Sequence, residues 1–279
     1  MTPPHETEPG RDPEPESHSS SVPVGGRGAT APGVPVSGRG VAAGTGLSAP
    51  VSIWDLPEQG GRGPKPRHDR TVIAAVAVGL ADAEGLDALT MRRVAAALGM
   101  ATMSLYNYVP AKDHLAQLMI DYVSGEYSYP SVPPSDLRSA LADLARQARD
   151  ITWRHPWLPR LLHRPPPAGP NGFRYLDYFL GLLAGSGLDT GAKMEVIGLI
   201  SGFAVMYGGL QAALAGERAA VGASADQQAA AQVRAFAVAA ASGRYPNLAA
   251  ALAAAGPPRG EDDIFESCIL RLIDVAMPG

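Results

Sequence analysis

One cysteine, Cys268, stands alone in 279 residues, so no disulfide can close within the chain. That usage suits a reducing cytoplasm. Its position on the apolar side of the last helix predicts a packed thiol rather than a reactive one. Aromatic residues make up only 6 % of the chain, and no apolar–polar alternation runs long enough for a strand, so the expected fold is all-α. Also missing are a P-loop, a G-x-S-x-G elbow, a dinucleotide fingerprint after a strand and any paired metal-ligand motif. His155 and His163, separated by a proline, do not have metal-site spacing. No enzyme activity, metal or cofactor is therefore expected. Positive charge is not in excess either. The formal net charge of −4 argues against indiscriminate nucleic-acid binding but leaves room for a small basic footprint. The first residues carry Glu6, Glu8 and Asp12 with no apolar run after them, unlike a secretory leader.

Breaker residues are abundant instead. Residues 1–50 contain 9 prolines, 9 glycines and 6 serines, a composition that cannot bury enough apolar surface to order itself, so this stretch is expected to be a disordered tail. Residues 51–69 read as a linker with Trp54 as its one large anchor. Its basic residues Arg62, Lys65 and Arg67 run into the first helix and predict an arm along a phosphate backbone or in a minor groove. An ordinary solvated linker explains Gly-Pro-Lys-Pro equally well.

The stretch Leu89–Lys112, LTMRRVAAALGMATMSLYNYVPAK, is the most specific in the chain. Thr90 can cap a short helix whose apolar stripe is Val94, Ala95 and Leu98, and Gly99 suits a left-handed exit. A second helix fits Ala101–Asn107, with Leu105 inward and Val109 closing the stripe. Thr102, Met103, Ser104, Tyr106 and Asn107 then point outward. Hydroxyls and an amide suit phosphates and base edges, and a thioether suits a thymine methyl. This is the layout of a helix-turn-helix. Helices so short need neighbours. Val72, Ile73, Val76, Leu80 and Ala83 supply one before, ending at Glu84-Gly85, and Leu115, Leu118, Met119, Tyr122 and Val123 supply one after. Arg92 and Arg93 cannot share a face, so at most one addresses bases. Lys112 in the first turn of a helix opposes the helix dipole unless a phosphate lies beside it, although a solvated lysine next to Asp113 is an alternative. Tyr108 divides between phosphate contact and core packing.

Residues from about Arg70 to Tyr122 resemble the DNA-binding domain of the tetracycline-repressor (TetR) family, through LADAEGLDALTMRRVAAALGM, SLYNYV and the following lysine. The resemblance implies contacts to an operator from Thr90, Arg92, Thr102, Met103, Ser104 and Asn107, with Tyr106, Tyr108 and Lys112 at phosphates. It departs from the family at Pro110-Ala111, where relatives often place a small polar cap.

Further on, helices are expected from Ser135 to Arg154 (Leu137, Leu141, Leu144, Ala148, Ile151 inward) and around Trp157–Leu162. Another is expected over Asn171–Ala184 with Phe173, Leu176, Phe179, Leu180 and Leu183 inward. Residues 196–215 carry no charge. A membrane span has that length, but its glycines, Ser201, Tyr207 and Gln211 favour a buried core helix. Ser224 and Gln227 form a capping-box pattern before an alanine-rich helix, and a final helix begins near Asp262. WRHPWLPRLL, RYPNL and IFESCILRLID look like the regulatory domain of a TetR subgroup, which implies a homodimer and an apolar inducer cavity. Trp153, Phe173, Phe203, Met206 and Tyr207 are candidate cavity residues, though aromatic and Met residues at helical spacing are more often plain core. Phe236, Phe265, Ile269 and Leu272 are candidates for the dimer seam. The expected architecture is a three-helix helix-turn-helix domain over 70–127 and a helical ligand-binding and dimerisation domain over 133–277. The expected partners are double-stranded DNA, an unknown small apolar effector and a second copy, with no membrane. A helical binding protein or a helical enzyme without a DNA role stays open.

Overall fold

The structure, a computed structural model, describes residues 51–57, 68–131, 136–163, 168–222, 224–257 and 259–277. The expected tail, the arm residues Arg62, Lys65 and Arg67, and Ser135 lie outside these. Among the described residues there are eleven α-helices and no strand.

The N-terminal part is built from α1 (Arg70–Glu84), α2 (Met91–Ala97), α3 (Thr102–Tyr108) and α4 (Lys112–Ser124). Asp69 opens α1 by accepting from the Val72 amide at 2.8 Å. The buried face of α1 is Ile73, Ala74, Ala77, Val78 and Ala81, whereas Val72 and Ala83 are exposed. The expected stripe was thus one position out of phase, because alanines rather than the larger aliphatic residues take much of the inner face. Thr90 caps α2, its hydroxyl accepting from the Arg93 amide at 3.2 Å. Gly99 makes the turn with φ +67°, a conformation that costs an L side chain about 1–2 kcal/mol. Leu105 and Val109, both 0 % exposed, bury α3 in the core it shares with α1, α2 and α4. The segment before α1 docks as well. Ile53, not Trp54, is its fully buried anchor, and the Ile53 amide donates to Gln117 Oε1 at 2.8 Å. Buried Arg70 donates to the carbonyls of Leu56 and Pro57 at 3.1 and 3.3 Å.

The C-terminal part contains α5 (Leu137–Arg154), α6 (Leu158–Leu162), α7 (Pro170–Leu182), α8 (Thr190–Val221), α9 (Ala225–Ala241), α10 (Pro246–Ala253) and α11 (Glu261–Ala276). Asp136 caps α5, accepting from the Arg138 and Ser139 amides. Ser224 and Gln227 form the expected capping box on α9. The core here is Leu141, Leu144, Phe179, Ile200, Phe265 and Ile269. α5 and α8 lie close together at Gly208, where an added Cβ would stand 2.7 Å from the Arg149 carbonyl oxygen.

Four expectations fail here. The uncharged stretch of α8 is not a buried core helix, since only 28 % of its most apolar stretch is buried. Val196, Ile197, Ile200 and Ala204 face the core while Leu199, Met206 and Leu210 face out. Phe173 on α7 is 60 % exposed, because Phe179 and Leu183 set the inward phase of that helix. Phe265 and Ile269 are fully enclosed in the chain's own core and cannot form a seam with a second copy, and Leu272 packs against the same core. Cys268 is exposed, lying off the Phe265–Ile269–Ile273 line that α11 buries.

Gly99→Ala and Gly208→Ala separate the two kinds of glycine. No atom lies within 4 Å of an added Cβ at Gly99, so Ala there should cost about 1 kcal/mol from backbone strain alone. Ala at Gly208 meets backbone and should approach the ~3 kcal/mol of overpacking. Denaturant unfolding of both variants checks the order.

Candidate nucleic-acid interface

Because Leu105 takes the inward phase of α3, the opposite side is left to solvent. Met103 is 75 % exposed and Tyr106 39 % exposed, with Ser104 and Asn107 beside them. Thr102, at the start of the helix, and Tyr108, packed against the core, are half-buried. The face thus offers a hydroxyl, an amide, a phenol and a thioether on one rigid turn. Such a set can address base edges, a thymine methyl and phosphate oxygens. Arg93 pairs with Glu84, while Arg92 is exposed and makes no ion pair among the described residues. Lys112 heads α4 in the same condition, behind Ala111, which gives no side-chain cap. Thr90, on which its own helix start depends, has its hydroxyl committed to the Arg93 amide.

Three polar ties join α1–α4 to the helices that follow. His155, buried at the end of α5, holds Asp82 Oδ1 at 2.8 Å through Nδ1 and Glu126 Oε1 at 2.9 Å through Nε2. Trp157 Nε1 donates to the same Asp82 oxygen at 2.7 Å. Burial works against the Glu126 charge, yet hydrogen bonds from Arg154 and His155 prevail and hold its carboxyl below the usual range. The second tie is Asp121 of α4, which accepts from the Asn171 and Gly172 amides at 2.9 and 3.0 Å and so caps α7 from another helix. Burial pushes its carboxyl up, against those hydrogen bonds. The third tie is a bidentate pair of Arg160 on α6 with Asp87, which lies in the 3₁₀ turn Leu86–Ala88 between α1 and α2.

Between α4, α5, α6, α7 and α8 lies a cavity of about 210 Å³, walled by residues that include Ile120, Val123, Tyr127, Ile151, Tyr175 and Ser201. A wider apolar groove of about 660 Å³ opens between α6 and α8. Leu162, Ser201 and Val205 border both. The Tyr175 hydroxyl and Ser201 Oγ are 2.6 Å apart. Burial pushes the Tyr175 phenol up to about 12 and raises Tyr127 well above its usual value, so both stay neutral hydrogen-bonding groups. Of the five candidate cavity residues only Met206 borders this space. Trp153 and Phe173 point to solvent, and Phe203 and Tyr207 pack around Phe265 with ring centroids 5.9 and 5.3 Å away. No periodicity marked these walls, since they come from five helices and only the packing brings them together.

A short exposed reading helix, braced by a four-helix head and followed by a helical body with an apolar cavity, defines the helix-turn-helix class of regulator. Residues 73–119 match the family described as bacterial regulatory proteins, tetR family, and residues 129–274 match the tetracyclin repressor-like C-terminal domain. The chain belongs to the TetR family. It is 40 % identical over 158 residues to the HTH-type transcriptional repressor DrrR1 of Streptomyces coeruleorubidus, covering 55 % of this chain and 57 % of that protein. The chain therefore spans little more than half of that relative's length. An HTH-type transcriptional regulator of Saccharopolyspora erythraea is 29 % identical over 161 residues, 58 % of this chain and 68 % of that protein. Among solved structures, apo ActR from Streptomyces coelicolor aligns with a TM-score of 0.63 and 27 % identity, over 77 % of this chain and 98 % of that one. ActR in complex with actinorhodin gives 0.64 and 28 %, over 76 % and 97 %.

Asp121→Ala should leave the Asn171 and Gly172 amides without an acceptor and lower unfolding stability by about 1–3 kcal/mol. Amide hydrogen exchange should quicken at the start of α7 before it does in α5. Unchanged exchange there would mean the cap contributes nothing.

Proposed function

We propose that this chain is a cytoplasmic transcriptional repressor that binds a palindromic operator as a homodimer and releases it when a small apolar molecule enters the C-terminal body. Residues 70–127 read DNA and residues 133–277 sense the effector and pair the protomers. The observation that carries the DNA reading is the outward face of α3, exposed and held rigid from behind by Leu105 and Val109. Met103, Ser104 and Asn107 enter the major groove, with Thr102 at its edge and Tyr106 at the bordering phosphates. Arg92 addresses a base or phosphate, and Tyr108 and Lys112 hold the flanking backbone. Thr90 serves chiefly as the α2 cap. Arg62, Lys65 and Arg67 form the arm. A lone reading helix makes few base contacts, so two copies on two half-sites supply affinity and specificity.

Pairing uses exposed apolar side chains of the C-terminal helices, including Ile264 and Val275 on α11 and Phe236 on α9. The cavity beside Tyr127, Tyr175 and Ser201 and the groove beside Met206 take the effector. ActR of Streptomyces coelicolor has been solved in complex with (S)-DNPA and with actinorhodin, which supports a sensing role for the corresponding body of this chain. Release requires the effector to favour the non-binding spacing of the two heads by about 1–3 kcal/mol.

Operator fragments selected from genomic DNA provide the test. Tyr106→Ala combined with Asn107→Ala should weaken specific binding by at least about tenfold, at ~1–3 kcal/mol per good base contact. Sedimentation and helicity should not change. Undiminished binding would remove α3 from the interface.

A further inference from the structure

We propose that Arg160 recognises an acidic group on the effector, and that drawing Arg160 away from Asp87 is what loosens the hold on DNA. This inference rests on the regulatory reading above and names the effector class: an apolar molecule bearing a carboxylate.

The groove between α6 and α8 is bordered by Pro159, Leu162, Val205, Met206 and Leu210, and among the described residues Arg160 is its one permanently charged wall residue. A guanidinium fork matches a carboxylate in two parallel hydrogen bonds. In this structure the fork is turned onto Asp87, with Nη2 to Oδ1 at 2.8 Å and Nη1 to Oδ2 at 3.1 Å. The pair is open to water, the Arg160 side chain 57 % and the Asp87 side chain 85 % exposed. Exposed pairs are weak and can be exchanged. An acid buried against apolar walls brings its own packing energy to the competition, which Asp87 does not have. Arg160 is thus shared between a ligand-sized groove and the turn joining the first two helices of the reading head.

Asp87 has a second cation near it. Its carboxyl is held below the usual range first by the hydrogen bonds and charge of Arg160, with slight burial opposing, and then by the charge of Lys112. Lys112 is the residue assigned above to a DNA phosphate. While Arg160 neutralises Asp87, Lys112 is available to the phosphate. Once an effector carboxylate takes Arg160, the uncompensated Asp87 charge acts on Lys112 and competes with the phosphate for it. The coupling runs through one carboxylate with two cations beside it and requires no large movement of α6.

The test uses the full chain with 9-anthracenecarboxylate and 9-anthracenecarboxamide, two fluorescent probes of equal shape and unequal charge. Wild type should bind the acid about tenfold more tightly than the amide, the scale of one charged hydrogen-bonded contact. Arg160→Gln should abolish that preference while leaving amide binding intact, which also shows that the groove is still folded. Asp87→Asn should tighten acid binding by removing the competitor, and should blunt the ability of the acid to release operator DNA. Without any probe, Arg160→Gln should weaken operator binding by up to about fivefold, and adding Asp87→Asn should restore it. Equal binding of acid and amide by wild type, a preference that survives Arg160→Gln, or binding of neither probe would overturn the proposal. Operator binding is measured in the same series without probe, so failure of the regulator reading would show there independently of the acid–amide comparison.

Discussion

The burial of α4 on two sides is the constraint on which the rest of the structure depends. Leu115, Leu118, Met119 and Val123 complete the core of α1–α3, and Ile151, Trp157 and Leu158 from α5 and α6 belong to that same core. A seven-residue helix such as α3 has no independent stability in water. It keeps its shape because Leu105 and Val109 are buried in the core shared with α1, α2 and α4, and α4 keeps its place because Asp121, in its last turn, caps α7 and the Asp82–His155–Glu126 tie fastens the chain just past its C-terminal end. The position of the reading helix is therefore a property of the whole chain.

The same arrangement sets where the cavity lies. The cavity wall includes Ile120 and Val123 of α4 and Tyr175 of α7, the two helices that Asp121 joins. A molecule seated there touches the brace of the reading head directly. The exposed apolar side of α8 borders the groove at Met206 and Leu210 and leaves Leu199 open as well.

The head could be read from the sequence because its signals are local. Thr90 as a cap, Gly99 as a left-handed turn and Leu105 as the inward residue each follow from neighbours within four positions, and all three stand in the structure. The helices of the body were legible for the same reason. What could not be read was the phase of faces carried by small residues and the partners of faces rich in aromatics. Ala74, Ala77 and Ala81 share the buried face of α1 with Ile73 and Val78 while Val72 is exposed, and hydrophobicity alone does not rank them so. Phe265 looked suited to a seam, but Phe203, Tyr207 and the Arg149 guanidinium already surround it within the chain. The ties at Asp82, Asp87 and Asp121 join residues 50 to 75 positions apart and leave no periodic mark.

The central claim is that α3 enters a major groove twice, once per protomer. Guanine N7 faces only that groove, so methylation interference on a selected operator tests the claim most directly. The account predicts two clusters of interfering guanines on one face of the duplex, related by two-fold symmetry and centred about one helical turn, or a whole number of turns, apart. A single cluster, or strong binding with no interfering guanine in an operator that contains them, would contradict it.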